Sequence, residues 1–421
     1  MNDTAYGERT CRVCSGDLET ILHLGTPYPS RFPLAGEELP PQIPLDFCTC
    51  VECRLVQLRH TVDPDAMFRQ YWYQSGINET MRAELEDVVA QATARVPLLK
   101  GDLVIDVGAN DGTLLSFYLD RDLVRVAFEP AQNLQAALRS QADMIIADYF
   151  PDSLFDLEVR GAKFDEEVKI LTSIAVFYDL DDPDNFVAQV KRLLHPDGVW
   201  IVQFQDLDQM LKATAFDNIC FEHLIYYSLA SFQRLIEPHG LRVTDAEVRS
   251  INGGSYRLYV QHKNKTPTAN VDALWHQEYG CEEWDTFYKF AWRAQEAKRQ
   301  ISAAIRHLVN TGKIVDLYGA STKGNTLLQW CGLDHRLIRR AIERSPEKIG
   351  RVTIGTDIPI VGEEEGRRDP ADAWLVGIWQ FREHILKREA DYLTQGGTLL
   401  FPLPKVEIVS EAVVEGYGHG V

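Results

Sequence analysis

The chain has 421 residues, enough for two or three domains of roughly 150 residues each. Apolar residues make up 45% and charged residues 25%, the composition of folded globular protein, which excludes a disordered chain. With 43 Lys and Arg against 62 Asp and Glu the net charge is −19, a field that repels phosphate backbones and anionic lipid and so excludes nucleic acid and membrane surfaces as first partners. An anionic ligand would then need a locally positive pocket. No apolar run approaches the ~20 residues of a membrane span, and the first residues lack a signal-peptide core, so the expected location is cytoplasmic.

Five of the eight cysteines fall within the first 53 residues. Cys11-Arg-Val-Cys14 and Cys50-Val-Glu-Cys53 are two Cys-x-x-Cys knuckles, each presenting two thiols on one tight turn, and together they can close a four-thiolate cage around Zn2+. A closed cage leaves no position for substrate, so the metal is structural. Cys48 competes with Cys50, but Cys50 keeps the x-x spacing to Cys53. Cys220, Cys281 and Cys331 are dispersed and read as small buried hydrophobes.

The Pro-rich stretch from Thr26 to Pro44 reads as a loop held by the metal. From Asp65 to Val96 the pattern is helical. Buried strands then alternate with helical stretches: Leu103–Val107, Arg125–Phe128, Asp143–Ala147, Ile170–Ile174 and Gly198–Phe204. That rhythm predicts a mainly parallel sheet covered on both faces, finished by an antiparallel pair at Gly240–Thr244 and Ser255–Val260. After a helix over Trp284–His307 the rhythm restarts with strands at Lys313–Gly319, Arg340–Glu343, Ala373–Val376 and Thr398–Phe401. The expected α/β architecture is a zinc-binding domain (1–64), a Rossmann-like cofactor domain (65–263) and a second Rossmann-like domain (264–421). A monomer is expected.

Asp106-Val-Gly-Ala-Asn-Asp-Gly112 lies where the first parallel strand meets its helix. Gly108 and Gly112 allow a tight turn and close approach to a ligand, while Asp106 and Asp111 put carboxylates where a dinucleotide loop would bring amides to a pyrophosphate. Such a loop suits a cofactor with cationic character. Glu129, at the end of the second strand, can accept both hydroxyls of a ribose. The combination resembles class I S-adenosylmethionine-dependent methyltransferases. That resemblance implies that the loop, including Asn110, holds the methionine part, and that Asp148 is the adenine-side carboxylate.

Beyond the fifth strand, Glu222-His223 offers a titratable base with an acidic neighbour, although a histidine here can equally serve packing. Tyr71-Trp-Tyr-Gln-Ser-Gly76, with the Tyr73 phenol, reads as a lid over substrate or as an interdomain hinge. Asn252-Gly-Gly-Ser255 with Arg257 reads as a ligand-binding turn or as a plain hairpin. Gly319-Ala-Ser-Thr-Lys-Gly324 brings backbone amides and Lys323 to a helix start, where Thr322 or Asn325 can cap. It reads as an anion site reinforced by Lys348 and Arg351, or as a helix cap alone.

Taken together, these motifs resemble the family of C-methyltransferases acting on nucleotide-linked 4-keto-deoxysugars. The resemblance covers nearly the whole chain, through Tyr318–Asn325, Glu343–Gly350 and Gly396–Pro404. It implies S-adenosylmethionine and structural Zn2+ as cofactors and a nucleotide-linked keto sugar as substrate. The sugar nucleotide would be bound with Asn252, Ser255, Arg257, Tyr318, Ser321, Lys323, Asn325 and Lys348. His223 would remove the proton alpha to the ketone, Glu222 would orient the ring or bind the sugar, and Tyr73 would help hold the enolate oxygen. Three positions depart from the family pattern: Phe221 before Glu222, the Phe177-Tyr178-Asp179 region, and Gln380 in Trp379-Gln-Phe381. The alternatives are O-methylation of a sugar hydroxyl and a non-catalytic sugar-nucleotide-binding protein.

Overall fold

The structure, a computed structural model, describes residues 6–118, 122–153 and 167–410. The uninformative tail from Glu415 onward lies outside the described residues.

The knuckle region forms a small antiparallel sheet from Leu18–His23, Asp46–Cys50 and Val56–Leu58. A fourth strand, Ile225–Tyr226, joins that sheet from far along the chain. The Pro-rich loop between the knuckles is held by more than the cysteines. Tyr28 N–H donates to Gln329 Oε1 at 2.8 Å and Val352 N–H to the Pro33 carbonyl at 2.9 Å, so the loop is pinned to the C-terminal region.

The helical stretch expected from Asp65 to Val96 is broken. Pro64–Phe68 and Glu79–Arg95 are helices, and the aromatic segment between them leaves the helical path. Its amides are satisfied elsewhere: Tyr71 N–H by Asn133 Oδ1 at 3.0 Å, Ser75 N–H by Asn110 Oδ1 at 3.0 Å, and Gly76 N–H by Asp111 Oδ2 at 2.7 Å. Asn78 then restarts the helix by accepting from Thr80 N–H at 3.0 Å.

The middle sheet has seven strands, in the order Leu241–Arg249, Ser255–His262, Leu194–Gln205, Val168–Ile174, Leu103–Val107, Val124–Phe128 and Met144–Ile146. Its central strands are parallel, and Ser255–His262 runs antiparallel to Leu194–Gln205, as the pattern predicts. The order reverses between Leu103–Val107 and Val168–Ile174. Chain therefore leaves to opposite sides there, opening a crevice beyond the strands' carboxyl ends.

Helix Trp284–Asn310 leads to a second sheet of six strands around Val315–Tyr318. Two of its strands, Ile360–Gly362 and Glu407–Val409, carry too short a pattern to be read from sequence. One apolar cluster runs through all three regions, from Phe47 through Trp200 to Trp374. No helix among the described residues is long and apolar enough to cross a membrane.

Candidate active site

A cavity of about 630 Å3 opens at the switch point of the middle sheet, a size that suits small-molecule ligands. It is lined at one end by Asp106, Gly108, Asn110, Glu129 and Phe150, and at the other by Tyr178, Asp179, Glu222, His223, Ser255 and Lys323. Tyr71 and Tyr73, from the segment between the two broken helices, complete the wall.

The glycine loop takes its shape from Gly108, at φ +70°, where a Cβ would meet Val176 Cγ2 at 2.5 Å. Gly112, at φ +81°, precedes the short helix Thr113–Ser116 and does not itself line the cavity. Asp106 is buried, accepts from Thr172 Oγ1 at 2.6 Å, and is pushed up to about 7 by desolvation. Glu129 accepts from Asn110 N–H at 2.7 Å and Ala131 N–H at 2.8 Å, one bond per oxygen. Each oxygen keeps a lone pair, so a ribose diol can still be accepted. Carboxylates at this end suit the sulfonium of S-adenosylmethionine. Asp111 does not reach the cavity; it accepts from Gly76 N–H and Thr113 Oγ1 and so ties the Tyr73 segment to the loop.

Asp148 is turned away. Its carboxylate pairs with Arg69 at 3.1 Å, and Tyr149, Phe150 and Asp152 line the cavity instead. The strand-end rule located the neighbourhood but not the side chain that faces inward.

At the far end, the His223 ring stacks edge-on against Tyr178 with centroids 4.4 Å apart. Its Nδ1 lies 3.2 Å from the Asn218 carbonyl. A carbonyl only accepts, so Nδ1 carries the proton and Nε2 keeps its lone pair. Desolvation and the Lys323 ammonium push His223 down to about 3, leaving a neutral imidazole at physiological pH. Glu222 is pushed up to about 7 by burial, and its Oε2 is buried without a hydrogen-bond partner. Asp179 also has a buried oxygen without a partner, and burial followed by the charge of Glu222 drives its carboxyl far above the usual range. Tyr73 is pushed up to about 12 by burial and Asp111, so its hydroxyl remains a donor.

Lys323 is the single Lys or Arg among the described lining residues, against seven Asp and Glu. The cavity as a whole is thus not the positive pocket expected for an anion. Desolvation partly offsets this, since raised Asp106, Asp179 and Glu222 carry less charge than free carboxylates.

Several expected substrate residues lie elsewhere. Arg257 is fully buried in its strand, paired to Glu84 at 2.7 Å and Asp87 at 2.5 Å and bonded to Gln203 Oε1 at 2.9 Å; it is a core ion pair. The Tyr318 hydroxyl donates to Glu389 at 2.7 Å inside the C-terminal region. Asn325 donates to Ser30 Oγ at 2.7 Å and the Arg31 carbonyl at 3.3 Å, fastening the Pro-rich loop. Lys348 donates to the Ala320 carbonyl at 2.8 Å and lies over the Phe32 ring. Arg351 donates to the Phe32 carbonyl and lies over Trp72; Lys348 thus sits on the turn itself and Arg351 on the Pro-rich loop, and neither lines the cavity. Ser321 is the helix cap, its Oγ accepting from Gly324 N–H at 2.9 Å in place of Thr322 or Asn325. Ser255 does line the cavity, with its hydroxyl bonded to the Ile251 carbonyl. The Asn252 side chain lies outside the described residues.

The departures from the family pattern also find their places. Phe177 is core, whereas Tyr178 and Asp179 face the cavity. Sequence reasoning missed Asp179 as a site residue; its one signal was its position just beyond the fourth strand's carboxyl end. Gln380 and Trp379 donate to Asp217 Oδ2 at 3.2 and 2.8 Å, away from the cavity.

The sulfurs of Cys11, Cys14, Cys50 and Cys53 all lie within 4.8 Å of one another, with Cys11–Cys53 at 3.6 Å and Cys14–Cys50 at 3.4 Å. Four clustered thiols fit a tetrahedral Zn2+ site. Cys48 sits two residues back along its strand, roughly 6.6 Å of rise away. It contacts Thr20 Oγ1 and the Asp46 carbonyl instead.

Three family models match: "Putative zinc binding domain" over 11–68, "Methyltransferase domain" over 77–246 and "C-methyltransferase C-terminal domain" over 250–404. The C-methyltransferase NovU of Streptomyces niveus is 30% identical over 423 residues, covering 97% of this chain and 99% of that one. Among solved structures, the 1,6-didemethyltoxoflavin-N1-methyltransferase of Burkholderia thailandensis is 16% identical, with a TM-score of 0.33 over 44% of this chain and 80% of that one. The magnesium protoporphyrin IX methyltransferase of Synechocystis PCC 6803 is 13% identical, with a TM-score of 0.33 over 44% and 86%. The near full-length identity to NovU and the three matched models together show that the chain belongs to the S-adenosylmethionine-dependent C-methyltransferases with an N-terminal zinc-binding domain.

Proposed function

We propose that the protein transfers a methyl group to the carbon alpha to the ketone of a nucleotide-linked 4-keto-deoxysugar. The observation that supports this most is the sharing of one cavity by a carboxylate-lined cofactor end and the Glu222-His223 pair. When bound, S-adenosylmethionine supplies an electrophilic methyl group. The Zn2+ held by the four cysteines has a structural role.

His223 presents an unprotonated Nε2 as the proton acceptor, with its tautomer fixed by the Asn218 carbonyl. A C–H bond acidifies only beside a carbonyl, so the substrate must be a ketone. Tyr73, protonated at neutral pH, donates to the oxygen as enolate charge develops. Lys323, at the start of its helix, meets the anionic part of the sugar nucleotide, and Ser255 meets a sugar hydroxyl. At the other end Asp106, Gly108, Asn110 and Glu129 hold the cofactor, so nucleophile and methyl group meet across one crevice. The proposed units are the knuckle region through residue 64, the cofactor region through 263, and the remaining α/β region.

A second assignment of the base is favoured by one observation. Glu222 lines the cavity with its Oε2 buried and unpartnered, and a carboxyl near 7 matches a general base better than an imidazole near 3. In that version Glu222 takes the proton, and His223 holds the substrate through Nε2.

The test is solvent deuterium exchange into a nucleotide 4-keto sugar without S-adenosylmethionine. Exchange at the alpha carbon that His223→Asn or Glu222→Gln abolishes is expected. Substrate binding without exchange would overturn carbon methylation and leave O-methylation of a hydroxyl.

A further inference from the structure

The strand that follows His223 does not belong to the middle sheet. Ile225–Tyr226 pairs antiparallel with Val56–Leu58, placing Ile225 opposite Gln57 and Tyr226 opposite Val56. Leu58 N–H also donates to the Leu224 carbonyl at 2.8 Å. The residue directly after His223 is therefore bonded into the sheet that carries the cysteine knuckles.

Gln57, central in that pairing, is fully buried. Its Nε2 donates to Cys11 Sγ at 3.2 Å, and its Oε1 accepts from both the backbone N–H and the Nη1 of Arg12, each at 3.1 Å. The Arg12 guanidinium continues to the Leu58 carbonyl at 2.5 Å, Thr61 Oγ1 at 2.7 Å and Asp181 Oδ1 at 3.1 Å. Thr61 and Asp181 line the cavity. One buried amide thus joins the first knuckle to two parts of the cavity wall.

Such an amide has little freedom. A buried donor or acceptor that loses its partner is costly, so Gln57 cannot slide without breaking a bond to the knuckle. Donation to sulfur strengthens when the sulfur is a thiolate, the form a zinc ligand takes.

We infer that Gln57 is a positioning residue that transmits the placement of the Cys11 knuckle to the His223 imidazole. The knuckle sheet is then part of the catalytic frame as well as a clamp on the Pro-rich loop. The inference concerns where the ring stands, and only its kinetic arm rests on the proposed role of His223.

The test uses the full-length, zinc-loaded protein with 15N-labelled histidine. The His223 ring signals are assigned by their absence in His223→Asn. Gln57→Glu keeps the side-chain length and the contact to Arg12 while replacing the donor to Cys11 with an acceptor. Gln57→Leu removes all three contacts. In folded variants the His223 ring nitrogen shifts are expected to move while S-adenosylhomocysteine affinity stays within about twofold, because the cofactor end is built from other strands. The kcat is expected to fall about tenfold or more at unchanged KM for S-adenosylmethionine, as misplacement of a reacting group requires. If Gln57→Leu does not fold, Gln57→Glu decides. Ring signals superimposable on those of the unsubstituted protein would overturn the inference. Moved signals with unchanged kcat would uphold the coupling and refute the proposed base.

Discussion

The Nδ1 of His223 donates to the Asn218 carbonyl at 3.2 Å, and the Tyr226 hydroxyl donates to the same oxygen at 3.2 Å. One peptide oxygen therefore fixes both ends of the turn that carries the imidazole. Asp217, the preceding residue, is anchored in turn by Trp379 and Gln380 of the C-terminal region. The ring is thus held by contacts reaching back to both flanking regions.

His223→Asn keeps a side chain that can donate to Asn218 but removes the basic nitrogen. The kcat is expected to fall by ~10²–10⁴, the usual contribution of general base catalysis. S-adenosylhomocysteine binding, followed by calorimetry, should be unchanged.

Glu222→Gln addresses pH. The folded carboxyl lies near 7, above its ordinary value of 4.5, so the folded state binds the proton more tightly than the unfolded state. That contribution to stability is present below the ordinary value and is lost as pH rises through about 7. The substitution should therefore raise the melting temperature at pH 8 relative to the unsubstituted protein and change it little near pH 4. If Glu222 is the base, the acid limb of the kcat/KM profile near 7 should also vanish.

Arg257 separates a core ion pair from a substrate contact. Arg257→Ala leaves the buried Glu84 carboxylate with fewer partners and should cost about 3–5 kcal/mol in denaturant unfolding. Arg257→Lys should recover part of that loss. The KM for the sugar nucleotide should not change in the folded Lys variant, because Arg257 does not line the cavity.

Trp379→Phe removes the indole donor to a carboxylate that is fully buried. A cost of about 1–3 kcal/mol is expected from the lost partner. Combining it with Asp217→Asn should cost less than the sum of the two single changes, because the two residues share one bond. Equilibrium unfolding of the four proteins measures the difference.

Removing Zn2+ with a chelator should destabilise the knuckle sheet first. Hydrogen exchange should rise in Asp46–Cys50 and Val56–Leu58 before it rises in Leu103–Val107. Cys14→Ser should mimic this, whereas Cys48→Ser should not, since Cys48 stands outside the cluster.

Local chemistry alone determined much of the protein. The Cys-x-x-Cys spacing identified the four-thiol cluster, continuous apolar runs marked the parallel strands, and the Asp106–Gly112 loop with Glu129 marked one end of the cavity. These signals are legible because each is carried by residues close together in the chain and set by backbone geometry. Only the tertiary structure decided the partners of individual side chains. Arg257 lies on a strand next to a turn suited to a ligand, yet it faces Glu84 from a distant helix, and strand alternation cannot reveal what covers a face. Asp179 became a cavity residue, and Asp148 an Arg69 partner, through packing that strand ends alone do not specify. The pairing of Ile225–Tyr226 with Val56–Leu58 has no sequence signature, because a two-residue strand carries no period and its partner lies some 170 residues away.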